Sequence, residues 1–188
     1  HFGVSQKEKI KNLRSDIHVL SLTATPIPRT LQMSLVGLRD LSIISTAPLN
    51  RQSIATEVIN FNEQDLKDAI QKELSRNGQI YYVCPRIKEL KEVDDFLKKA
   101  MPELKYKIAH GQMPPKKLKN TMIDFYNNEF QLLLCTTIVE SGLDLQKTNT
   151  MIIHNAHKFG LSQLYQLRGR VGRSNIEAFC YYTVKDIN

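Results

Sequence analysis

The sequence predicts an α/β fold with a mainly parallel central sheet covered by helices on both faces. Short apolar, β-forming runs alternate with amphipathic stretches of helical period from residue 63 onward. Helical crossovers of this kind return the chain to the same edge, so successive strands run parallel. Polar clusters recur directly after the apolar runs, where open α/β sheets carry their ligands. The chain has 188 residues, 41% of them apolar, which is enough for a core of ordinary size.

The elements follow in order. Residues 5–14 are polar and helix-prone, and 17–23, IHVLSLT, read as a buried strand. Pro28 suits the first turn of a helix over 28–37 that stops at Gly37, and a short strand is expected at 41–45. APLNRQS, residues 47–53, reads as a linker. A helix over 63–75 aligns Leu66, Ala69, Ile70 and Leu74, with Asn62 as its N-cap and Asn77-Gly78 as its stop. Strand 79–83 follows, then helix 87–100 with Ile87, Leu90, Val93, Leu97 and Ala100 on one face. Strand 105–109 precedes helix 115–127, which carries Leu118, Met122 and Phe125. Strands 131–135 and 150–154, helix 161–168 and strand 178–184 complete the pattern.

The net charge of +7 favours an anionic partner but specifies neither sequence preference nor fold. Cys84, Cys135 and Cys180 sit in or beside apolar runs and read as buried small hydrophobes. Their scattered, odd number fits a reducing compartment, so a cytoplasmic location is expected, and no metal-ligand spacing occurs. No stretch approaches the ~18 apolar residues of a membrane span, so no membrane association is expected. There is no leader-like start, and the opening His1-Phe2-Gly3 suggests a piece of a longer chain.

Four clusters follow predicted strands: Thr23-Ala24-Thr25-Pro26, Cys84-Pro85-Arg86, His110-Gly111-Gln112 and Thr136-Thr137. The sharpest motif is QLRGRVGRS, Gln166 to Ser174, with Arg168, Arg170 and Arg173 around Gly169 and Gly172. Arg170 and Arg173 are three apart, so at a helix end both face one point. A guanidinium forks onto phosphate oxygens, and one delivered to a γ-phosphate accelerates phosphoryl transfer by orders of magnitude. The plainer reading is a solvated basic turn. In TTIVESGLDL, the hydroxyls of Thr136 and Thr137 suit a phosphate, and Asp144, beyond Gly142, suits a ribose hydroxyl. Thr23 and Thr25 are placed to relay a hydrogen-bond change between sites.

Taken in order, these segments resemble the motifs of superfamily 2 helicases and translocases. TATP resembles motif III, TTIVESGLDL motif V and QLRGRVGR motif VI; IYYVCPR lies where motif IV is expected, and His110-Gly111 where a further nucleic-acid contact falls. Longer stretches, including SLTATPIPRTLQMSLVGLRDLSII and NTMIIHNAHKFGLSQLYQLRGRVGRS, are similar to the transcription-repair coupling factors over nearly the whole chain. The branch-migrating Holliday-junction helicases share TATPIPRTL and QLRGRVGR and are the alternative; GLRDLSII favours the coupling factors. A non-catalytic RecA-like nucleic-acid-binding module is the alternative of another class, and the intact GRVGR argues against it.

The resemblance implies a RecA-like three-layer sandwich, with residues 1–46 the tail of a first motor lobe and 47–188 the second lobe. It implies ATP with Mg2+, held mainly by first-lobe elements: the sequence contains no G-x-x-x-x-G-K-[ST] loop, so the isolated chain is expected not to hydrolyse ATP. By the same resemblance Arg170 and Arg173 contact ATP phosphates, and Gln166, Gly142 and Asp144 support the nucleotide. Thr136, Thr137, Arg86, His110 and Gly111 contact nucleic acid, Thr23 and Thr25 couple the two sites, and no residue binds metal. Implied partners are double-stranded DNA and, through regions outside this chain, RNA polymerase and excision-repair proteins. Ser141 stands where RNA-remodelling members often carry Arg, and Gln166 where they often carry His, which puts an RNA substrate in doubt. Lys116, Lys117 and Lys119 read as a solvated helix face, Tyr81, Tyr82, Tyr181 and Tyr182 as packing residues, and His154 and His157 as structural.

Overall fold

The computed structural model describes residues 53–137, 148–172 and 175–185, together with Ser42 and Ile44. The chain divides into two compact units, His1–Ser42 and Ile43–Asn188. All described elements belong to the second: β1 (Ile54–Asn60), α1 (Glu63–Leu74), β2 (Gln79–Val83), α2 (Ile87–Ala100), β3 (Tyr106–Ala109), α3 (Pro115–Tyr126), β4 (Leu132–Cys135), β5 (Thr148–Ile153), a 3-10 turn (Ala156–Lys158), α4 (Leu161–Arg168) and β6 (Ala178–Val184). The six strands form one sheet in the order β1-β6-β5-β2-β4-β3, and every neighbouring pair is parallel.

Both faces of the sheet are covered, which is why β2, β4 and β5 are buried at every position. Successive side chains of a strand point to opposite faces. Ile80 and Tyr82 accordingly pack with Leu66 and Ile70 of α1 and with Leu90, Val93 and Leu97 of α2. Tyr81 and Val83 pack on the other side with Phe125 of α3 and Leu167 of α4. The three cysteines are fully buried, as are Tyr81, Tyr82 and Tyr181 to within 5%. Asn62 caps α1 as expected, its side chain accepting from the Asp65 N–H at 2.9 Å. Asn77, in the turn after α1, takes the left-handed φ of 55° that ends the helix.

Three features depart from the sequence reading. β1 was not singled out by any pattern; it is an edge strand, and Thr56, Glu57 and Val58 at its centre are exposed. β5 begins at Thr148 rather than 150: Thr148 and Asn149 are buried despite being polar, and Thr148 pairs in register with Gln79 of β2. The strand expected at 41–45 is not found at its two described positions: Ser42 and Ile44 are exposed and lie in no regular element. The elements expected at 5–14, 17–23 and 28–37 lie outside the described residues.

Candidate functional site

Since all strands run one way, the segments after β2, β4 and β3 leave the sheet at one edge and lie side by side. Backbone hydrogen bonds extend this order beyond the strands. The Cys84 N–H donates to Cys135 O at 2.8 Å, the Thr136 N–H to Ala109 O at 3.2 Å, and the His154 N–H to Val83 O at 2.8 Å. Arg86, Thr136, Thr137, His110 and Gly111 therefore share one rim. Arg86 is exposed at the N-cap of α2, and its side chain makes no capping bond. Gly111 is exposed, while His110 is half-buried and its backbone N–H meets Met113 Sδ at 3.4 Å. The Nδ1 of His110 is buried without a hydrogen-bond partner. Thr136 is only 8% exposed and its N–H is already used, so its hydroxyl is all it has to offer; Thr137 is more open.

The rim has two halves of different charge. Beside β5 and β6, α2 contributes two carboxylates. Buried Glu89 accepts from Lys158 Nζ at 2.7 Å, and Glu92 lies 3.1 Å from Lys185 Nζ and 3.6 Å from His154 Nε2. His154 has no exposed surface and meets the Phe61 ring edge-on at 4.6 Å. Burial lowers its pKa from the usual 6.5, against the pull of Glu92 and Glu89. His154 is thus structural, as expected, whereas His157 is exposed. Next to it Asn155 is buried at a left-handed φ of 49°, with neither side-chain polar atom partnered. On the β3 side the sequence is different: residues 104–123 contain no Asp or Glu.

The arginine motif occupies the opposite end of the sheet. α4 starts near the rim and runs back along the face shared with α3, with Leu164, Leu167 and Val171 in the core. Beyond it the turn tightens, the Arg170 N–H donating to Leu167 O at 2.9 Å. Gly172 has φ +72°, and a Cβ there would lie 3.1 Å from both Ala178 Cβ and Ile54 Cγ1. Those are the first residues of β6 and β1, so this turn rests on the amino edge of the sheet. Gln166 lies in the last turn of α4 and Arg170 just beyond its end; both are half-buried. Leu161 and Tyr165, also four apart, are exposed, and the Arg168 guanidinium lies 4.8 Å from the Tyr165 ring centroid. Arg173, Gly142, Asp144, Thr23 and Thr25 lie outside the described residues.

The amino edge is locked by a buried ion pair that sequence reasoning missed. Glu73, fully buried at the end of α1, pairs with Arg76 and accepts from Thr150 Oγ1 at 2.5 Å. The same arginine donates to Glu177 O at 2.7 Å, immediately before Ala178. Gly78 makes room for the carboxylate, since a Cβ there would fall 1.7 Å from Glu73 Oε1. The signal was present: Glu73 is seven residues beyond Leu66 and three beyond Ile70, on the apolar stripe of the helix. Among the described residues no group of His, Cys, Asp or Glu is arranged to hold a metal ion, and no helix is long and apolar enough to cross a membrane.

Comparison with known proteins gives a consistent outcome. The family described as "Helicase conserved C-terminal domain" matches residues 63–175. The transcription-repair-coupling factor of Rickettsia typhi is 55% identical over 184 residues, covering 98% of this chain and 16% of that protein. Its namesake from Staphylococcus aureus is 49% identical over 181 residues, covering 96% of the chain and 16% of the relative. A chloroplastic ATP-dependent DNA helicase of Arabidopsis thaliana is 51% identical, covering 98% of the chain and 22% of the relative. The chain thus spans about a fifth or less of the length of these relatives. Among solved structures, RecG bound to a three-way DNA junction matches with a TM-score of 0.70 and 28% identity, over 100% of this chain and 31% of that one. Dbp5 of S. cerevisiae, bound to RNA and ADP BeF3, has a TM-score of 0.70 at 17% identity, over 97% of this chain and 49% of that one, and bears on the fold alone. The fold is RecA-like, with an all-parallel sheet among the described strands.

Proposed function

Because the chain belongs to the helicase conserved C-terminal domain family, we propose that it is the second motor lobe of an ATP-dependent double-stranded DNA translocase of the transcription-repair-coupling kind. The observation that carries this reading is the adjacency of β2, β4 and β3, which aligns Arg86, Thr136, Thr137, His110 and Gly111 on one rim, with no acidic residue from 104 to 123 on its β3 side. Such a rim suits a phosphate backbone and reads no bases. Relatives of 49–55% identity carry the coupling-factor name, against 28% for RecG, which favours this reading over a junction helicase.

In this reading residues 1–46 end the first lobe, and that lobe holds ATP and Mg2+. The residues on this side fit a polyphosphate. Gln166 lies in the last turn of the helix that leads to Arg170, the turn beyond it is pinned by Val171 and Gly172, and Arg173 follows Arg170 by three residues in sequence. The arginines meet charge on the transferring phosphoryl group, the nucleotide being bound mainly elsewhere. Gly142 and Asp144 support the nucleotide, and Thr23 and Thr25 couple the two sites. The working site is the cytoplasm, and RNA polymerase and excision-repair proteins are engaged through other parts of the longer protein. The test is direct: the isolated chain should bind duplex DNA weakly, with strong salt dependence and no base preference, and hydrolyse no ATP. Tight binding that persists in high salt, or magnesium-dependent turnover abolished by a substitution within this chain, would contradict the assignment.

A further inference from the structure

We propose that the groove between β3 and α3 is a second binding site for the sugar-phosphate backbone of duplex DNA, beyond the rim loops. The inference rests on the DNA-motor reading and extends it to a surface which that reading does not use.

The groove encloses about 530 Å3 and is lined by Lys107, Lys116, Lys117, Asn120, Thr121 and Asp124, with Pro114 at its end. Its charge comes from two elements. Lys107 lies on β3, the edge strand of the sheet, and Lys116 and Lys117 lie in the first turn of α3. Residues 104–123 contain five lysines and no carboxylate, so much of the chain's net charge of +7 is gathered here. The lysines of α1 and α2 are interleaved with acids instead, as in the Lys67–Glu63 and Lys98–Asp94 pairs. In the groove Asp124 engages Lys107 at 2.7 Å and so fixes one wall. Among the described residues neither Lys116 nor Lys117 has an ion pair, and both are exposed. The first turn of α3 holds no acidic residue, so the positive end of its helix dipole adds to the lysines rather than being cancelled. His110 and Gly111 join the groove directly to the rim.

A polyanion fits this groove better than an acidic protein partner does. Protein interfaces are anchored by buried apolar or aromatic side chains. The exposed large apolar residues of α3, Ile123 and Tyr126, do not line the groove. Lysine, asparagine and threonine are the groups that hold phosphates without reading sequence.

The test compares the 188-residue chain with its Lys116→Gln/Lys117→Gln variant in duplex-DNA titrations over a range of salt, with fold checked by circular dichroism. Two lost phosphate contacts should flatten the slope of log affinity against log salt by about 1.8 units and weaken binding to all sequences alike. Lys98→Gln/Lys99→Gln on α2 should leave the slope unchanged. If the groove variant keeps the parent's slope while Arg86→Ala loses affinity, the groove is not a DNA site although the rim is. If the parent binds no duplex DNA, both proposals fall. If the groove variant loses binding to polyglutamate but not to DNA, the ligand is an acidic polypeptide and this inference is overturned.

Discussion

The two ends of the sheet are built differently. At the carboxyl rim Arg86 and Gly111 are exposed, and the Arg86 side chain makes no capping bond. At the amino edge the arginine turn is clamped. Val171 is in the core, Gly172 fits against Ala178 and Ile54, and the Glu73–Arg76 pair holds the backbone just before β6. A surface that must follow a sliding phosphate backbone gains from adaptable contacts. A guanidinium that must meet a developing charge gains from a fixed seat, because then no reorganisation accompanies the reaction. Under the proposed function, the division of labour lies in how each end is supported as much as in which residues it carries.

Breaking the clamp should therefore cost more than altering the rim. Arg76→Met leaves Glu73 buried without its cation and should destabilise the domain by on the order of 3 kcal/mol, read from urea unfolding. A loss under about 0.5 kcal/mol would show the pair to be incidental. Gly172→Ala forces a side chain into left-handed backbone against two close neighbours and should cost about 1–3 kcal/mol. Its cost should exceed that of Gly160→Ala, where a Cβ meets only Gln163 Oε1 at 3.8 Å; equal costs would contradict the tight seat.

The pH dependence sharpens the comparison from the rim side. The folded pKa of His154 is lowered by burial, so its contribution to stability is present above the unfolded value of 6.5 and is lost as pH falls through the folded value. The parent should lose stability as pH falls from 6.5 through the folded value, and His154→Gln should lose less. A variant as acid-sensitive as the parent would remove His154 from the account. The smallest effect is expected at the rim itself. Arg86→Ala should flatten the duplex-DNA salt slope by about 0.9 units with unchanged stability. No change in slope would take Arg86 off the DNA path.

Much of this was legible in the sequence. The bounds of strand 79–83, helix 87–100 and strand 178–184 were legible because the sheet is covered on both faces and that helix shows a clear apolar stripe; helix 161–168 was also placed correctly, although Leu167 is its one buried residue. The rim followed from the rule that parallel strands present their polar loops at one edge. β1 was not legible because an edge strand with an exposed centre lacks both alternation and a continuous apolar run. Nor was the location of the arginine turn, since the direction of α4 across the sheet is set by where Leu167 and Val171 find their core and not by local pattern. Glu73 was missed because a carboxylate on an amphipathic helix usually faces water; here Arg76 and Thr150 make its burial tolerable.

The central claim is that the turn after α4 delivers charge to a phosphoryl group in a two-lobed motor. The most direct test is DNA-stimulated ATP turnover and nucleotide affinity in the full-length protein carrying Arg170→Ala or Arg173→Ala. An arginine acting on the transferring phosphate is worth roughly 10³–10⁵ in rate, or about 4–7 kcal/mol. Each substitution should therefore nearly abolish turnover while the fold and much of the nucleotide affinity survive. Near-normal turnover in both variants would contradict the account.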